Sequence, residues 1–225
     1  MKYGIESYFL SSPFSTIASI ILTLGFYRIG KIILKSYFFK SSIKNVSVLN
    51  YQYISISLLL ISIIFYPIVL FIKIDSNIFY IISIIISLFG LWHITEKIKF
   101  IFNYYNLLNK FNRNIHELFC IIFVLLYFFL SLAPITDADS LDYHLSVPIY
   151  ILNNGLFPKD ILWFHSAQAG LGEIPIIFGL VTGAEQFLGL IQFSGLISVI
   201  GILKKNINKI QINRILIKNY YLILI

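Results

Sequence analysis

Residues 53–72 read YISISLLLISIIFYPIVLFI, twenty positions without a single charge. As a helix this run extends about 30 Å at 1.5 Å per residue, which matches the hydrocarbon thickness of a bilayer. Pro67, near its end, is tolerable there because neighbouring helices can satisfy the carbonyl it frees. The same reading carries outward in both directions. Upstream, Phe9 to Tyr27 forms an apolar segment diluted by Ser11, Ser12, Ser15 and Ser19. Downstream, Ile78 to Ile94 makes a third segment, and Leu118 to Ala133 a fourth that stops at Pro134.

The totals agree with that reading. Of 225 residues, 58% are hydrophobic and only 12% are charged, with a mean hydropathy of +0.86. A soluble domain carries about 25% charged residues, so the expected fold is all-α, a polytopic transmembrane bundle of about five spans. The formal charge of +7 would point to nucleic acid in a soluble protein. Here the Lys and Arg residues fall in blocks between apolar segments, a pattern that encodes orientation in a lipid bilayer, so no nucleic-acid partner is expected. Cys120 is the only cysteine, which leaves no disulfide framework and no thiolate metal site. The amino terminus lacks a basic region followed by a short apolar core and a cleavage site, so residues 9–27 are read as a retained span.

Counting Lys and Arg by segment orients the chain. Segment 28–50 holds five, 95–117 four and 204–218 five, whereas 73–77 holds one and 135–173 only Lys159. Positive residues collect in cytoplasmic loops, which places 135–173 on the periplasmic or luminal side. The stretch from Ile174 to Leu203 is too long for one crossing, and two crossings would violate the charge count. A short re-entrant or tilted helix from Ile174 to Val181, a turn at Thr182-Gly183 and a span from Glu185 to Leu203 resolve it. Residues 1–117 then form an amino-terminal bundle, 118–205 a segment with an external acidic loop, and 206–225 a cytoplasmic link that opens another span. That unfinished span predicts a chain representing the amino-terminal part of something longer.

Chemistry concentrates in one octet. Of ten acidic residues, six (Asp137, Asp139, Asp142, Asp160, Glu173 and Glu185) lie between 137 and 185, and three of these fall in Asp137-Ala138-Asp139-Ser140-Leu141-Asp142-Tyr143-His144. Carboxylates beside a bilayer are costly unless they are solvated, paired or employed. One account is a helix cap, with Asp139 bonding first-turn amides and Asp142 complementing the dipole. Apolar residues at 141, 145, 148, 149 and 152, with Asn153-Asn154-Gly155 as a stop, predict an amphipathic surface helix over about 140–153. Phe157, Trp163 and Phe164 mark the same interfacial level. The other account makes Asp137 or Asp139 a general base with a raised pKa. His144 would then bond a phosphate or orient the acid, and His165 could reach the same pocket. Asp137, Asp139, Asp142 and His144 also suit a hard divalent cation, without a fixed ligand spacing; no other cofactor is expected. His93 with Glu96, and His116 with Glu117, read as local caps or pairs.

The run Pro134-Ile135-Thr136-Asp137-Ala138-Asp139-Ser140-Leu141-Asp142-Tyr143-His144-Leu145, followed by Pro148, Tyr150-Ile151-Leu152 and Gly155, resembles a pattern in polytopic glycosyltransferases of the GT-C superfamily. That group includes protein mannosyltransferases and aminoarabinose transferases. Gly172-Glu173-Ile174-Pro175 and Gly183-Ala184-Glu185 are similar to a later region of the same families, so the resemblance covers residues 130–205. It implies a polyprenyl-phosphate sugar as donor, an envelope glycan, lipid or protein as acceptor, and inversion at the anomeric carbon. Carried over by position, Asp139 is the base, with Asp137 as the alternative. Asp142, Tyr143, His144, Lys159, His165 and Glu173 would bind substrate. Two features depart from the superfamily. The acidic loop follows a fourth span instead of the first, and Lys159 is the one cation offered to a lipid phosphate, so that further cations would come from a carboxyl-terminal half, either in a continuing frame or encoded separately as a partner. Two other classes compete: a transporter or flippase, which predicts broken or charged helices at mid-membrane, and a non-catalytic assembly subunit, which predicts acids consumed by caps and local pairs.

Overall fold

The computed structural model describes residues 8–35, 49–104, 115–136, 140–159 and 169–212. Among them every regular element is helical: α1 (Phe14–Lys35), α2 (Leu49–Phe71), α3 (Ser76–Tyr104), α4 (Ile115–Ser131), α5 (Ser146–Asn154), α6 (Ile174–Val181) and α7 (Phe187–Ile212). A π-helical turn, Ser140–Leu145, leads directly into α5. Three helices are long and apolar enough to cross a membrane, over Phe14–Lys35, Gln52–Phe71 and Ser76–Lys97; the apolar parts of α4 and α7, Phe119–Ser131 and Phe187–Leu203, are shorter. Large apolar side chains such as Ile64, Leu88, Phe123 and Leu126 face outward, an arrangement that suits a lipid surround.

α1 is the hub, packed on α2, α3 and α7. Glycines let the backbones meet. Gly25 lies against the carbonyl of Ile86, Gly90 against that of Ile21, and Gly30 against that of Tyr53, so that a Cβ at any of the three would overlap main chain. Small residues at such crossings are the usual means of close approach between membrane helices, because lipid supplies no hydrophobic drive for their association.

α1 begins later and ends later than the expected span at Phe9 to Tyr27. It opens at the turn whose Ser11 carbonyl accepts from the amides of Phe14 and Ser15, and it continues through Arg28 and Lys31 to Lys35. The continuation is possible because Arg28 is neutralised from α3: its two terminal nitrogens donate to the Glu96 carboxylate at 2.8 Å each, and its guanidinium lies 4.2 Å from the centre of the Trp92 ring. Glu96 is therefore not paired with His93, as the sequence reading had it. His93 is buried, with its ring 4.9 Å from that of Tyr27. The side chains of His116 and Glu117 lie outside the described set.

At the other end of α3, exposed Asp75 caps the helix. Its carboxylate accepts from the Asn77 amide at 2.9 Å and from the Asn77 side chain at 3.2 Å, and these bonds hold its carboxyl below the ordinary aspartate range.

α6 keeps the predicted bounds, Ile174–Val181. All of Ile174 to Leu180 is buried, as expected of a helix apolar on every side. Its Phe178 is the knot of the core, with ring centres 6.3 Å from Phe26, 5.9 Å from Phe65 and 5.8 Å from Phe79, while Phe26 stacks on Phe187 at 5.5 Å. One short helix thus joins α1, α2, α3 and α7. It stops where Gly183 takes φ +70°, a left-handed conformation that glycine adopts without steric cost.

α5 differs from expectation. Gly155, with φ +77°, terminates it as the Asn-Asn-Gly stop predicts. The helix is not a surface element, however. Leu145 and Ile149 join one apolar cluster while Val147 and Ile151, both fully buried, join the main core. α5 is wedged between two clusters, because apolar residues line both of its faces and not only the predicted stripe. Its N-cap is Leu145, which makes no side-chain cap bond. A cap from Asp139 would fall on residues outside the description.

Candidate functional site at the acidic end of the bundle

The ends that carry the acids gather on one side. The amide of Ile74, in the α2–α3 connection, donates to Gly155 O at 2.8 Å, and that of Phe157 donates to Val69 O at 2.8 Å. The amide of Leu10, before α1, donates to Gly183 O at 3.1 Å. α5 and α6, packed on each other, form a shelf that these main-chain bonds tie to the rim.

On the shelf sits a histidine–carboxylate pair. His144 Nδ1 lies 2.9 Å from Glu173 Oε1, and the second Glu173 oxygen accepts from the Gly170 amide. The Glu173 side chain is 6% exposed and that of His144 34%, so the carboxylate is the hidden, anchored partner and the imidazole the accessible one. An ionised carboxylate only accepts. With Glu173 as the acceptor, the bond calls for the ring form that carries a proton on Nδ1. The π turn delivers His144 to this position: Ser146 Oγ donates to the Leu141 carbonyl at 2.7 Å, and the wider winding turns residues 140–145 relative to a regular helix. Such π segments recur at functional sites.

The other sequence-predicted residues divide as follows. Asp142 is half-buried in the same turn and takes part in interactions within the protein. Tyr143 belongs to the turn, but its side chain lies outside the description. Lys159 is exposed just beyond the shelf. Asp137, Asp139 and His165 lie outside the described residues. Among the described residues, no three His, Cys, Asp or Glu side chains come together to hold a metal ion.

A second polar cluster, absent from the sequence-derived site, lies beside the first. Ser15 Oγ donates to Gln186 Oε1 at 2.8 Å and accepts from the Glu185 amide at 2.8 Å. The Glu185 carboxylate accepts from the Ile135 amide at 3.2 Å and from Gln186 Nε2 at 3.4 Å. The start of α1, the start of α7 and the segment after α4 meet here. The available signal was that Glu185 opens an apolar span with an acid; its partners are 50 and 170 residues away and carried no local mark.

Fold and site together define a class: among the described residues, an all-helical bundle with three helices of membrane-crossing length, one end of which presents a buried carboxylate bonded to a part-exposed imidazole. The chain belongs to the DUF1420 N-terminal domain family, whose model matches residues 1–116 and 92–213. No curated protein and no solved structure matches it.

Proposed function

We propose that this chain belongs to a membrane glycosyltransferase that moves a sugar from a polyprenyl-phosphate donor to an acceptor hydroxyl. In this reading α1 to α4 and α7 are five crossings, and the acidic end faces the periplasm or lumen. The distribution of charge supports that orientation. Arg28, Lys31, Lys35 and Lys97 lie toward the far ends of α1 and α3, and Lys204, Lys205 and Lys209 fall in the last third of α7, while Lys73 and Lys159 are at the acidic end.

The observation that carries the reading is the His144–Glu173 pair, fixed on a packed shelf a few residues after Asp137 and Asp139. A catalytic constellation needs side chains whose geometry is locked by their surroundings, and Glu173 locks His144. Asp139, with Asp137 as the alternative, takes the proton of the acceptor hydroxyl. The oxygen attacks the anomeric carbon, the bond from that carbon to the phosphate oxygen breaks, and polyprenyl phosphate leaves with inversion. Lys159 supplies hydrogen bonds and charge toward the phosphate, and His144 joins it only as the imidazolium, with Nδ1–H on Glu173 and Nε2–H on the phosphate.

A second reading, a non-catalytic assembly subunit, draws support from the engagement of Asp75, Glu96, Glu173 and Glu185 in bonds within the chain. Asp139→Asn and Asp137→Asn in the full-length protein, assayed for sugar transfer from a polyprenyl-phosphate donor, separate the two. Loss of roughly 10²- to 10⁴-fold in one variant is expected of a general base. Full transfer by both would overturn the catalytic reading.

A further inference from the structure

We infer that Glu185 is a positioning residue: its carboxylate clamps the backbone at Ile135, where the chain leads into the acidic octet that holds both candidate bases. The inference rests on the glycosyltransferase reading for its catalytic meaning, while the clamp itself stands on geometry. Glu185 Oε1 accepts from the amide of Ile135, two residues before Asp137. α4 ends at Ser131 and the chain continues through Pro134 without regular structure, so the bond at Ile135 fixes the residues that directly follow the helix.

The clamp is itself braced. Ser15, 1% exposed, holds the Glu185 amide and the side chain of Gln186, which is 4% exposed. Gln186 Nε2 in turn reaches Glu185 Oε2. A carboxylate half-shielded by protein is a stronger acceptor for an amide than water would be, because the local dielectric is lower. The same packing anchors the α4 end from behind, since Gly189 of α7 lies against the main chain of Ser131 with no space for a Cβ. Gly189 on α7 and Glu185, four residues earlier in the turn before that helix, thus fix both the exit of α4 and the first residues after it. Glu185 need not touch substrate to matter: a misplacement of about 1 Å in a catalytic group can cost 10²-fold.

The test uses the full-length chain in lipid nanodiscs, with Cys120→Ser as background and Thr136→Cys carrying a nitroxide. Glu185→Ala should make the label markedly more mobile, and Glu185→Gln, whose amide carbonyl can still accept from Ile135, should restore the wild-type spectrum. In the transfer assay without the label, Glu185→Ala should lower kcat roughly 10- to 100-fold with KM nearly unchanged, and Glu185→Gln should recover most of it. Unchanged label mobility in Glu185→Ala overturns the clamp. A loosened label with unchanged kcat, in a protein whose Asp139→Asn or Asp137→Asn variant loses transfer, overturns the positioning role. If neither aspartate variant affects transfer, the glycosyltransferase reading falls by itself, and a loosened label still supports the clamp.

Discussion

Glu173 is a carboxylate almost without solvent, and such groups are retained only when each oxygen has a partner. It has both, an imidazole and a main-chain amide. Removing it would strand the Gly170 amide and release His144, so Glu173→Ala should cost about 1–3 kcal/mol, while His144→Ala, which leaves the amide bond intact, should cost less. A double-mutant cycle read by thermal unfolding in detergent should return a coupling of about 1 kcal/mol or more between the two positions. Additive effects would show that the pair contributes no interaction energy. Both residues could be singled out in the sequence as members of an acidic and histidine-bearing region. That they meet could not, because 29 residues and a turn of unusual winding separate them. The resemblance implies a substrate-binding role for both residues, and in the fold each Glu173 oxygen also has a partner within the protein.

Elements were legible to the degree that their determinants are local. α6 was readable to the residue because Thr182-Gly183 closes it and its apolar run has no competing period. The far end of α1 was not, since the residue that permits Arg28 inside the helix is Glu96, 68 positions later. The orientation of α5 failed for a related reason: a stripe at positions 141, 145, 148, 149 and 152 suggests one buried face, but Val147 and Ile151 bury a second against helices whose arrangement no periodicity encodes. The packing of α1 on α3 belongs to the same class of hidden information. Gly90 reads in sequence as a mildly unfavourable residue inside a helix. In the fold it is the point where two backbones touch. Gly90→Leu should therefore force the helices apart and lower thermal stability well beyond Gly195→Leu, whose Cβ position meets nothing within 4 Å. Equal losses at the two sites would contradict the close-packed crossing.

At the scale of the whole molecule, membrane-type packing derives its cohesion from dispersion and shape, because lipid is as apolar as the core. The aromatic knot at Phe178 holds the helices together in this way, meeting rings from three of them. Phe178→Ala leaves a cavity in a place that four helices define, and a loss on the order of 3 kcal/mol is expected. Because the shelf depends on α6, the same substitution should also loosen a probe attached near His144, whereas Phe123→Ala on the outward face of α4 should change neither stability nor probe mobility. A result in which both substitutions are silent would mean that α6 is not the keystone of the bundle.

The bonds of Ser15 and Leu10 have a consequence for the making of the protein. Their partners, Gln186, Glu185 and Gly183, are synthesised about 170 residues later, a delay of roughly 10–30 s at ribosomal speed. Throughout that interval the opening hydroxyl and amide of the first helix wait for groups that do not yet exist. The bundle is thus closed by the turn that precedes its last described helix, and a nascent chain that stalls before residue 183 should expose an unfinished rim at the start of α1.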